Sequence, residues 1–162
     1  MDKNEVLSKL TEKFESELLK KEDPDGIMTF LVRSEAIIPV MKYLKEQLGF
    51  NFLTDLCGIQ YPESELPFGV IYHMHNLQDN LRLRLKTFIT GSSPIVATAT
   101  GLFPAANWME RETFDFYGII FEGHPNLKRI LNVEYLDYYP MRKEYPLEDP
   151  TRHDKDDRFF GR

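Results

Sequence analysis

Cysteine is almost absent from this sequence, because Cys57 is the only one among 162 residues. A single thiol cannot form an internal disulfide, and it cannot supply the four thiolates that most [2Fe–2S] and [4Fe–4S] clusters take from their protein. So little cysteine is typical of a protein in a reducing compartment. It also excludes the class of iron–sulfur protein that holds a whole cluster with its own thiolates.

Long hydrophobic runs and an excess of positive charge are lacking as well. No stretch approaches the 18 or so apolar residues of a membrane span, so we expect any membrane association to come through a partner. The first 21 residues contain five acidic side chains between their apolar ones, which argues against a signal or transit peptide. The net charge of −6 gives no general attraction to nucleic acid.

Motifs of nucleotide, hydrolase and zinc chemistry are also missing. The chain has no G-x-x-x-x-G-K-[ST], G-x-G-x-x-G, G-x-S-x-G or H-E-x-x-H sequence. His73 and His75 would lie on one face of a strand, but no third metal ligand follows in a recognisable pattern, so surface histidines are the simpler interpretation. Cys57 lies in an apolar stretch, which favours a small core residue over a nucleophile. We therefore expect the purified protein to be colourless and redox-silent.

The residues that are present predict one α+β domain. Apolar residues recur every four positions at Val6, Leu10, Phe14 and Leu18, which predicts a helix that ends before residue 23. Further along we predict a strand over 27–33, a helix from Ser34 to Gly49 that Pro39 kinks or delays, strands over 50–59, 68–75, 81–89 and 96–100, and a helix over 105–116. The order α-β-α-β-β-β-β-α indicates a mostly antiparallel sheet with flanking helices.

One of these strands has two very different faces. Between residues 81 and 89, leucines alternate with Arg82, Arg84 and Lys86. This alternation predicts a half-buried strand whose other face is wet and basic. The strand pairs as a hairpin with residues 68–75 in this prediction.

The chain changes character after residue 131, and we divide it into a domain over 1–131 and an extended tail over 132–162. The tail has no helical or strand period, yet it contains aromatic side chains that a solvated linker does not need. Spaced aromatic anchors favour a segment that binds along a partner, with a tail folded back on its own domain as the alternative. The anchors include Tyr138, Tyr139, Tyr145, Phe159 and Phe160.

Residues 110–131 begin with a cluster of charged side chains. Glu110, Arg111, Glu112 and Asp115 fall within two helical turns, with Arg111 and Asp115 spaced as an i,i+4 pair, and His124 follows. The carboxylates with His124 could be a general acid/base cluster, or they could be a charged helix surface that meets a partner. Because no nucleophile or cofactor motif accompanies them, the interface is favoured. As interface residues they would contribute little to the stability of the isolated fold.

This segment carries a resemblance to a known family. The sequences ERETFDFYG (110–118), GHP (123–125) and RIL (129–131) resemble the signature of the thirty-kilodalton subunit of respiratory complex I, NADH:quinone oxidoreductase. FGVIYHMH, LRLRLK, PAANWMERE and PMRKEYPLE extend the similarity over most of the chain. Asn126 and Lys128 depart from it, since the family more often has Asp and Arg there. Subunits of membrane-bound hydrogenases contain a related domain, which keeps a second kind of assembly open.

The resemblance implies a core subunit of the peripheral arm that binds no flavin, cluster or metal itself. The complex would transfer electrons from NADH through FMN and iron–sulfur clusters to quinone and translocate protons. This subunit would scaffold the forty-nine-kilodalton subunit, which contributes the quinone site, and contact iron–sulfur subunits, on the cytoplasmic side of the bacterial inner membrane. Since the sequence ends at Arg162, we expect the quinone-site subunit, which is fused to this one in some relatives, to be a separate polypeptide.

We expect the partner interface to use charged residues of the signature and both charged and aromatic residues of the tail. They are Glu110, Arg111, Glu112, Asp115, His124, Arg129, Tyr138, Tyr139, Arg142, Lys143, Tyr145, Phe159 and Phe160. A free-standing adaptor, or a small acid/base enzyme that uses Glu110, Glu112 and His124, is the alternative from a different class.

Overall fold

The computed structural model describes residues 1–22, 26–91 and 93–145. Within them the chain forms α1 (Lys3–Phe14), β1 (Leu18–Glu22), β2 (Met28–Val32), α2 (Ile37–Leu48), β3 (Phe52–Gln60), β4 (Phe68–Asn76), β5 (Leu81–Ile89), β6 (Ile95–Ala97), α3 (Ala106–Tyr117) and β7 (Ile120–Glu122). None of these helices is long and apolar enough to cross a membrane.

Five strands form the main sheet in the order β1-β2-β5-β4-β3, and β6 pairs with β7 beside it. Neighbours in the main sheet are antiparallel except β2 and β5, which run parallel. The predicted α+β fold with a mostly antiparallel sheet is confirmed. Of the two effects predicted for Pro39, a kink or a later start, the structure shows the later start. Helix α2 begins at Ile37, so the proline falls in the first turn, where its missing N–H breaks no helical bond.

Two strands escaped prediction, and α1 is shorter than expected. The helix ends at Phe14, and the residues 18–22 that continue its apolar spacing form β1 at the edge of the sheet. The sequence LLKKE favours a helix because of Lys20 and Lys21. Charged residues are nevertheless common in exposed edge strands, where they discourage pairing with other chains. β7 has three residues and forms through its pairing with β6, which no periodicity can predict.

The helices cover one face of the main sheet. Val70, Tyr72 and Met74 of β4 are buried in the core with α1 and α2, whereas the alternating His73 and His75 are half-buried on the other face. α3 lies on the helical side too: a side chain at Gly58 of β3 would meet Tyr117 and Thr113 of α3 at 2.6 and 2.9 Å. The described residues therefore form two layers, with the second face of the sheet left open.

Candidate partner interface

The four charged residues of α3 have separate surroundings. Glu110 and Asp115 are fully buried, with 0% of each residue exposed, whereas Glu112 is exposed and Arg111 is half-buried. Glu110 and Asp115 therefore have no surface left for a partner in this structure. Their predicted place on a charged helix surface is wrong, because both carboxylates are satisfied by hydrogen bonds within the chain.

Asp115 binds the segment that follows α3. Its Oδ2 accepts hydrogen bonds from the backbone N–H groups of Ile130, Leu131 and Asn132 at 3.0, 2.8 and 2.9 Å, and its Oδ1 accepts one from the Arg129 guanidinium at 2.8 Å. Burial alone would raise the pKa of Asp115, but these backbone donors and Arg129 outweigh it and hold the pKa well below its ordinary value. The ionised carboxylate fixes the start of the segment to the helix.

Arg129 continues the same network. While it pairs with Asp115, its other terminal nitrogen donates to the carbonyls of Leu136 and Tyr138 at 2.9 and 3.0 Å. The predicted pairing of Arg111 with Asp115 is absent, because Arg111 instead donates to the carbonyls of residues 128 and 129, both at 3.1 Å. Two arginines thus order the backbone from 128 to 138.

Glu110 holds the turn after β6. Its Oε2 accepts from the Thr98 hydroxyl at 2.5 Å and its Oε1 from the Ala99 N–H at 2.6 Å. Burial raises the pKa of Glu110 to about 7, although these two hydrogen bonds act to lower it. The strand predicted over 96–100 ends at Ala97, since the next residues turn to reach this carboxylate.

His124 lies beside Glu110 but does not bond to it. The Glu110 Oε2 to His124 Nε2 distance is 4.0 Å, and both side chains are fully buried. His124 Nδ1 accepts from the Asn126 N–H at 3.0 Å, so Nε2 carries the hydrogen and donates it to the Asn107 carbonyl at 3.2 Å. Both groups are sealed from solvent, and Glu112 is exposed, so the three do not form the acid/base cluster that the sequence left open.

Residues 132–145 pack on the domain, which is the alternative that the sequence placed second. Arg142 donates from Nε to the Tyr117 carbonyl at 2.8 Å and lies between the rings of Phe68 and Tyr139, 4.8 and 4.6 Å from their centroids. Gly118 ends α3 with φ 72° and leaves the space that Tyr139 occupies. An aromatic and an arginine that the sequence assigned to a partner therefore bind their own domain.

Further contacts hold the end of this stretch. The Lys143 N–H donates to Oε1 of Gln60 at 2.7 Å, and the rings of Tyr138 and Tyr145 lie 4.8 Å apart. Phe159 and Phe160 lie outside the described residues, so their docking on a partner stays a prediction. The proposed boundary at residue 131 likewise remains a division made from sequence, but contacts cross it as far as residue 145.

We expect Gly118→Ala to lower the free energy of unfolding by roughly 2 kcal/mol. The left-handed backbone alone costs about 1–2 kcal/mol for a residue with a Cβ, and that Cβ would lie 2.5 Å from the Tyr139 ring and 2.7 Å from the Arg142 guanidinium. Gly101→Ala is the matched control, because its added Cβ meets nothing within 4 Å. Equal denaturation midpoints for the two variants in urea would contradict this packing.

The ordered segment leaves apolar side chains in solvent. We name Ile130, Leu131, Val133 and Tyr135 the exposed apolar segment; their exposed fractions are 37, 65, 48 and 87%. Trp108, 58% exposed, has its ring 5.3 Å from the guanidinium of Arg111, which donates to the Arg129 carbonyl directly before this segment. Sequence reasoning missed Leu131 and Val133, although the apolar run directly after Arg129 was a usable signal. Clustered exposed apolar residues of this kind mark interaction sites.

The other candidate chemistry of the sequence finds no support in geometry. Among the described residues no three His, Cys, Asp or Glu side chains come together as a metal site, and His73 and His75 lie on the open sheet face. Cys57 is half-buried rather than in the core and borders a hollow of about 230 Å³ with Asp55 and Glu112. Burial raises the pKa of the Cys57 thiol, which makes it a poorer nucleophile.

Comparison with known proteins agrees with the fold and with the signature. Residues 30–151 match the family described as respiratory-chain NADH dehydrogenase, 30 Kd subunit. The C subunit of NADH-quinone oxidoreductase from Geotalea uraniireducens (strain Rf4) is 38% identical over 151 residues, which are 93% of this chain and 92% of that protein.

Solved structures extend the comparison. The trypsin-resistant fragment of Nqo5 superimposes with a TM-score of 0.67 at 30% identity and covers 75% of this chain and 98% of its own. A chain of the membrane-bound sulfane sulfur reductase, an archaeal respiratory membrane complex, gives a TM-score of 0.77 at 22% identity over 89% of this chain and 85% of that one, a similarity of fold alone. The family match includes α3 with its buried carboxylates and the segment that Arg129 and Arg142 order, and on these grounds the chain belongs to the 30 Kd subunit family of respiratory-chain NADH dehydrogenase.

Proposed function

We propose that this chain is a non-catalytic subunit in the peripheral arm of a proton-translocating NADH-quinone oxidoreductase. NADH, FMN, the iron–sulfur clusters and quinone would react in other subunits. The role of this chain would be to hold the quinone-site subunit and its iron–sulfur neighbours in place, on the cytoplasmic side of the bacterial inner membrane. The observation that carries the proposal is the exposed apolar segment, whose backbone is fixed by hydrogen bonds to Asp115 and Arg129.

Rigidity matters because binding a mobile loop costs the entropy of ordering it. Here the backbone of residues 130–132 is already fixed by Asp115, and that of residues 136 and 138 by Arg129. Tyr135 and Trp108 are both largely exposed, and tyrosine and tryptophan are the aromatic types that contribute most to protein interfaces. The segment is therefore suited to bind another protein with little reorganisation.

The charged signature supports a structural role rather than a catalytic one. Glu110 and Asp115 use their oxygens to hold 98–99 and 129–132 of the same chain. A catalytic acid or base must reach the proton it transfers, within hydrogen-bond distance or through one water. Sealed carboxylates with internal donors instead shape the surface that a partner meets.

We expect Leu131→Ser to reduce incorporation of the chain into the complex about tenfold, which corresponds to about 1.4 kcal/mol of binding free energy. The side chain is 65% exposed and only its backbone N–H is bonded, so the thermal midpoint of the free chain should stay within the error of measurement. Leu77→Ser is the matched control, since Leu77 is 57% exposed at the β4–β5 turn.

The measurement is the amount of this chain and of the other subunits in native complex purified from membranes that express each variant. Quinone reductase activity per assembled complex should stay near normal, because a scaffold change lowers the number of complexes rather than the rate of each. Full assembly of the Leu131 variant with lost turnover would place the segment in the chemistry and contradict the proposal.

A further inference from the structure

The open face of the main sheet has a basic row at its centre. Arg82, Arg84 and Lys86 of β5 lie on this face, alternating with the buried Leu83 and Leu85. His75, His73 and Ile71 of β4 lie directly opposite the three basic residues on one side, and Thr29 and Leu31 of β2 lie opposite Arg84 and Lys86 on the other. The prediction of one wet, basic face on this strand is confirmed.

This face has a charge opposite to that of the whole chain. The strand register places more positive than negative side chains on it. The four cations are Lys20, Arg82, Arg84 and Lys86, and the two carboxylates are Glu22 and Asp55. The chain as a whole has a net charge of −6. Glu22 is already bound by Lys20 at 2.7 Å and Lys86 at 3.4 Å.

The two arginines of the row are left unmatched. Neither Arg82 nor Arg84 takes part in an ion pair with any described residue, and Nε of Arg84 is buried without a hydrogen-bond partner there. Buried polar atoms are nearly always paired in folded proteins, so this nitrogen marks an arginine that the described residues leave unsatisfied. Nε itself has no exposed surface, so an acceptor from another molecule would bind to Arg82, which is exposed, and to the terminal nitrogens of Arg84.

An apolar hollow continues the row at one end. It has a volume of about 610 Å³, and Leu31, Leu66 and Phe88 contribute apolar walls. Leu31 is the direct neighbour of Lys86 across the β2–β5 pair, so the hollow begins where the basic row ends. A ligand that follows the row would therefore pass from charged to apolar surroundings.

We propose that this face binds an acidic segment of a neighbouring protein chain, with carboxylates on Arg82 and Arg84 and an apolar side chain in the hollow. Alternate residues of an extended peptide are roughly 7 Å apart, which is also the spacing of alternate residues along β5. A few carboxylates can match this face locally, whereas a nucleic acid or an anionic membrane would also meet the repulsion of the whole acidic chain. The inference rests on the proposed function only in that the neighbour belongs to the same assembly.

The test uses zero-length carbodiimide cross-linking of the native complex, purified through this chain and mapped by mass spectrometry. The reagent joins lysine amines to carboxylates that already touch them. We expect Lys20 or Lys86 to be joined to Asp or Glu of another subunit, in a peptide rich in acidic residues. Lys42 of α2, whose side chain is 59% exposed on the helical side, reports the background for a surface lysine.

Charge reversal then tests the row itself. Arg82→Glu with Arg84→Glu should reduce the intersubunit cross-links at least tenfold, while Lys13→Glu with Lys42→Glu, which changes the net charge equally on the helical side, should leave them unchanged. Because Arg84 is half-buried, the single variant Arg82→Glu, at an exposed position, repeats the test where the double variant does not fold.

The outcomes separate this inference from the proposed function. Cross-links of Lys20 and Lys86 to Glu22 of the same chain and to no other subunit, in preparations that contain the other subunits, would overturn the inference alone. Absence of those subunits would overturn both proposals. Binding of the wild-type chain, but not the Arg82→Glu variant, to vesicles of anionic phospholipid without any cross-linked protein would replace the acidic segment with a membrane surface.

Discussion

Asp115→Ala should lower the free energy of unfolding by about 3–5 kcal/mol, the cost of breaking a buried ion pair by removing one partner. The substitution leaves the Arg129 guanidinium without its carboxylate and deprives three consecutive backbone N–H groups of their acceptor. Urea denaturation of the purified chain, followed by circular dichroism, measures the change.

Four further variants assign the loss to this network. Glu112→Ala removes an exposed carboxylate from the same helix and should change the free energy of unfolding by less than about 0.5 kcal/mol. Asp115→Asn retains an acceptor and should cost less than the alanine variant. Arg129→Met is made alone and in the Asp115→Ala background, where it removes the charge that has lost its partner. The double variant should therefore be more stable than the sum of the two single effects predicts.

Asp115→Ala should also reduce incorporation of the chain into the complex. The bonds that it loses are those that fix the base of the exposed apolar segment, so the segment of the variant would have to be ordered at the moment of binding. A near-equal stability of Asp115→Ala and Glu112→Ala would show that the network adds nothing to the free energy of unfolding. Asp115 would then contribute no more than an exposed carboxylate.

The sequence predicted the parts of the fold that depend on local periodicity. The alternation of leucine with basic residues in β5 gave both the strand and its wet face, and Gly49 ends α2 as predicted. β1 was missed because Leu18 continues the helical spacing of α1, and only pairing with β2 makes LLKKE a strand. Local pattern cannot decide a case in which tertiary pairing overrides propensity.

The candidate site was harder to predict for a physical reason. A carboxylate on a helix is normally exposed, and nothing in the helical period of α3 tells Asp115 from Glu112. What buries Asp115 is a set of donors 14 to 17 residues further along the chain, and what buries Glu110 is a turn 11 to 12 residues before it. The family signature identified the residues, but their contacts required the structure.

The Glu110 network predicts a pH-dependent stability. An ionised Glu110 is penalised by burial, so its pKa rises from the ordinary value of 4.5 to about 7 in the folded chain. Between these two values the folded chain holds a proton that the unfolded chain releases, so the free energy of unfolding falls as the pH rises. The contribution of Glu110 to the free energy of unfolding is fully present below pH 4.5 and is lost by about pH 7. At 1.36 kcal/mol for each pKa unit, its size is about 3 kcal/mol.

Other groups titrate nearby, so one variant must isolate this one. His73 acts in the opposite direction, because burial and then the charge of Arg84 lower its pKa and its contribution is lost as the pH falls. Asp115, whose pKa is lowered, stays ionised throughout the interval. His73 and Asp115 are present in both the wild-type chain and the Glu110→Gln variant, so their effects cancel in the difference in stability between the two.

Glu110→Gln should therefore match the wild-type chain near pH 4.5 and exceed its free energy of unfolding by about 3 kcal/mol at pH 8. The glutamine carbonyl can accept from the Ala99 N–H and its amide can donate to the Thr98 hydroxyl oxygen, as a protonated glutamic acid would, but it has no charge to bury. Urea midpoints of both chains measured from pH 4.5 to 8 give the comparison, with Glu112→Gln as the control for removing a carboxylate from the exposed side of α3. A Glu110→Gln chain that is less stable than wild type at pH 8 would show that the ionised carboxylate stabilises the turn at Thr98 and Ala99, and that its hydrogen bonds outweigh its burial.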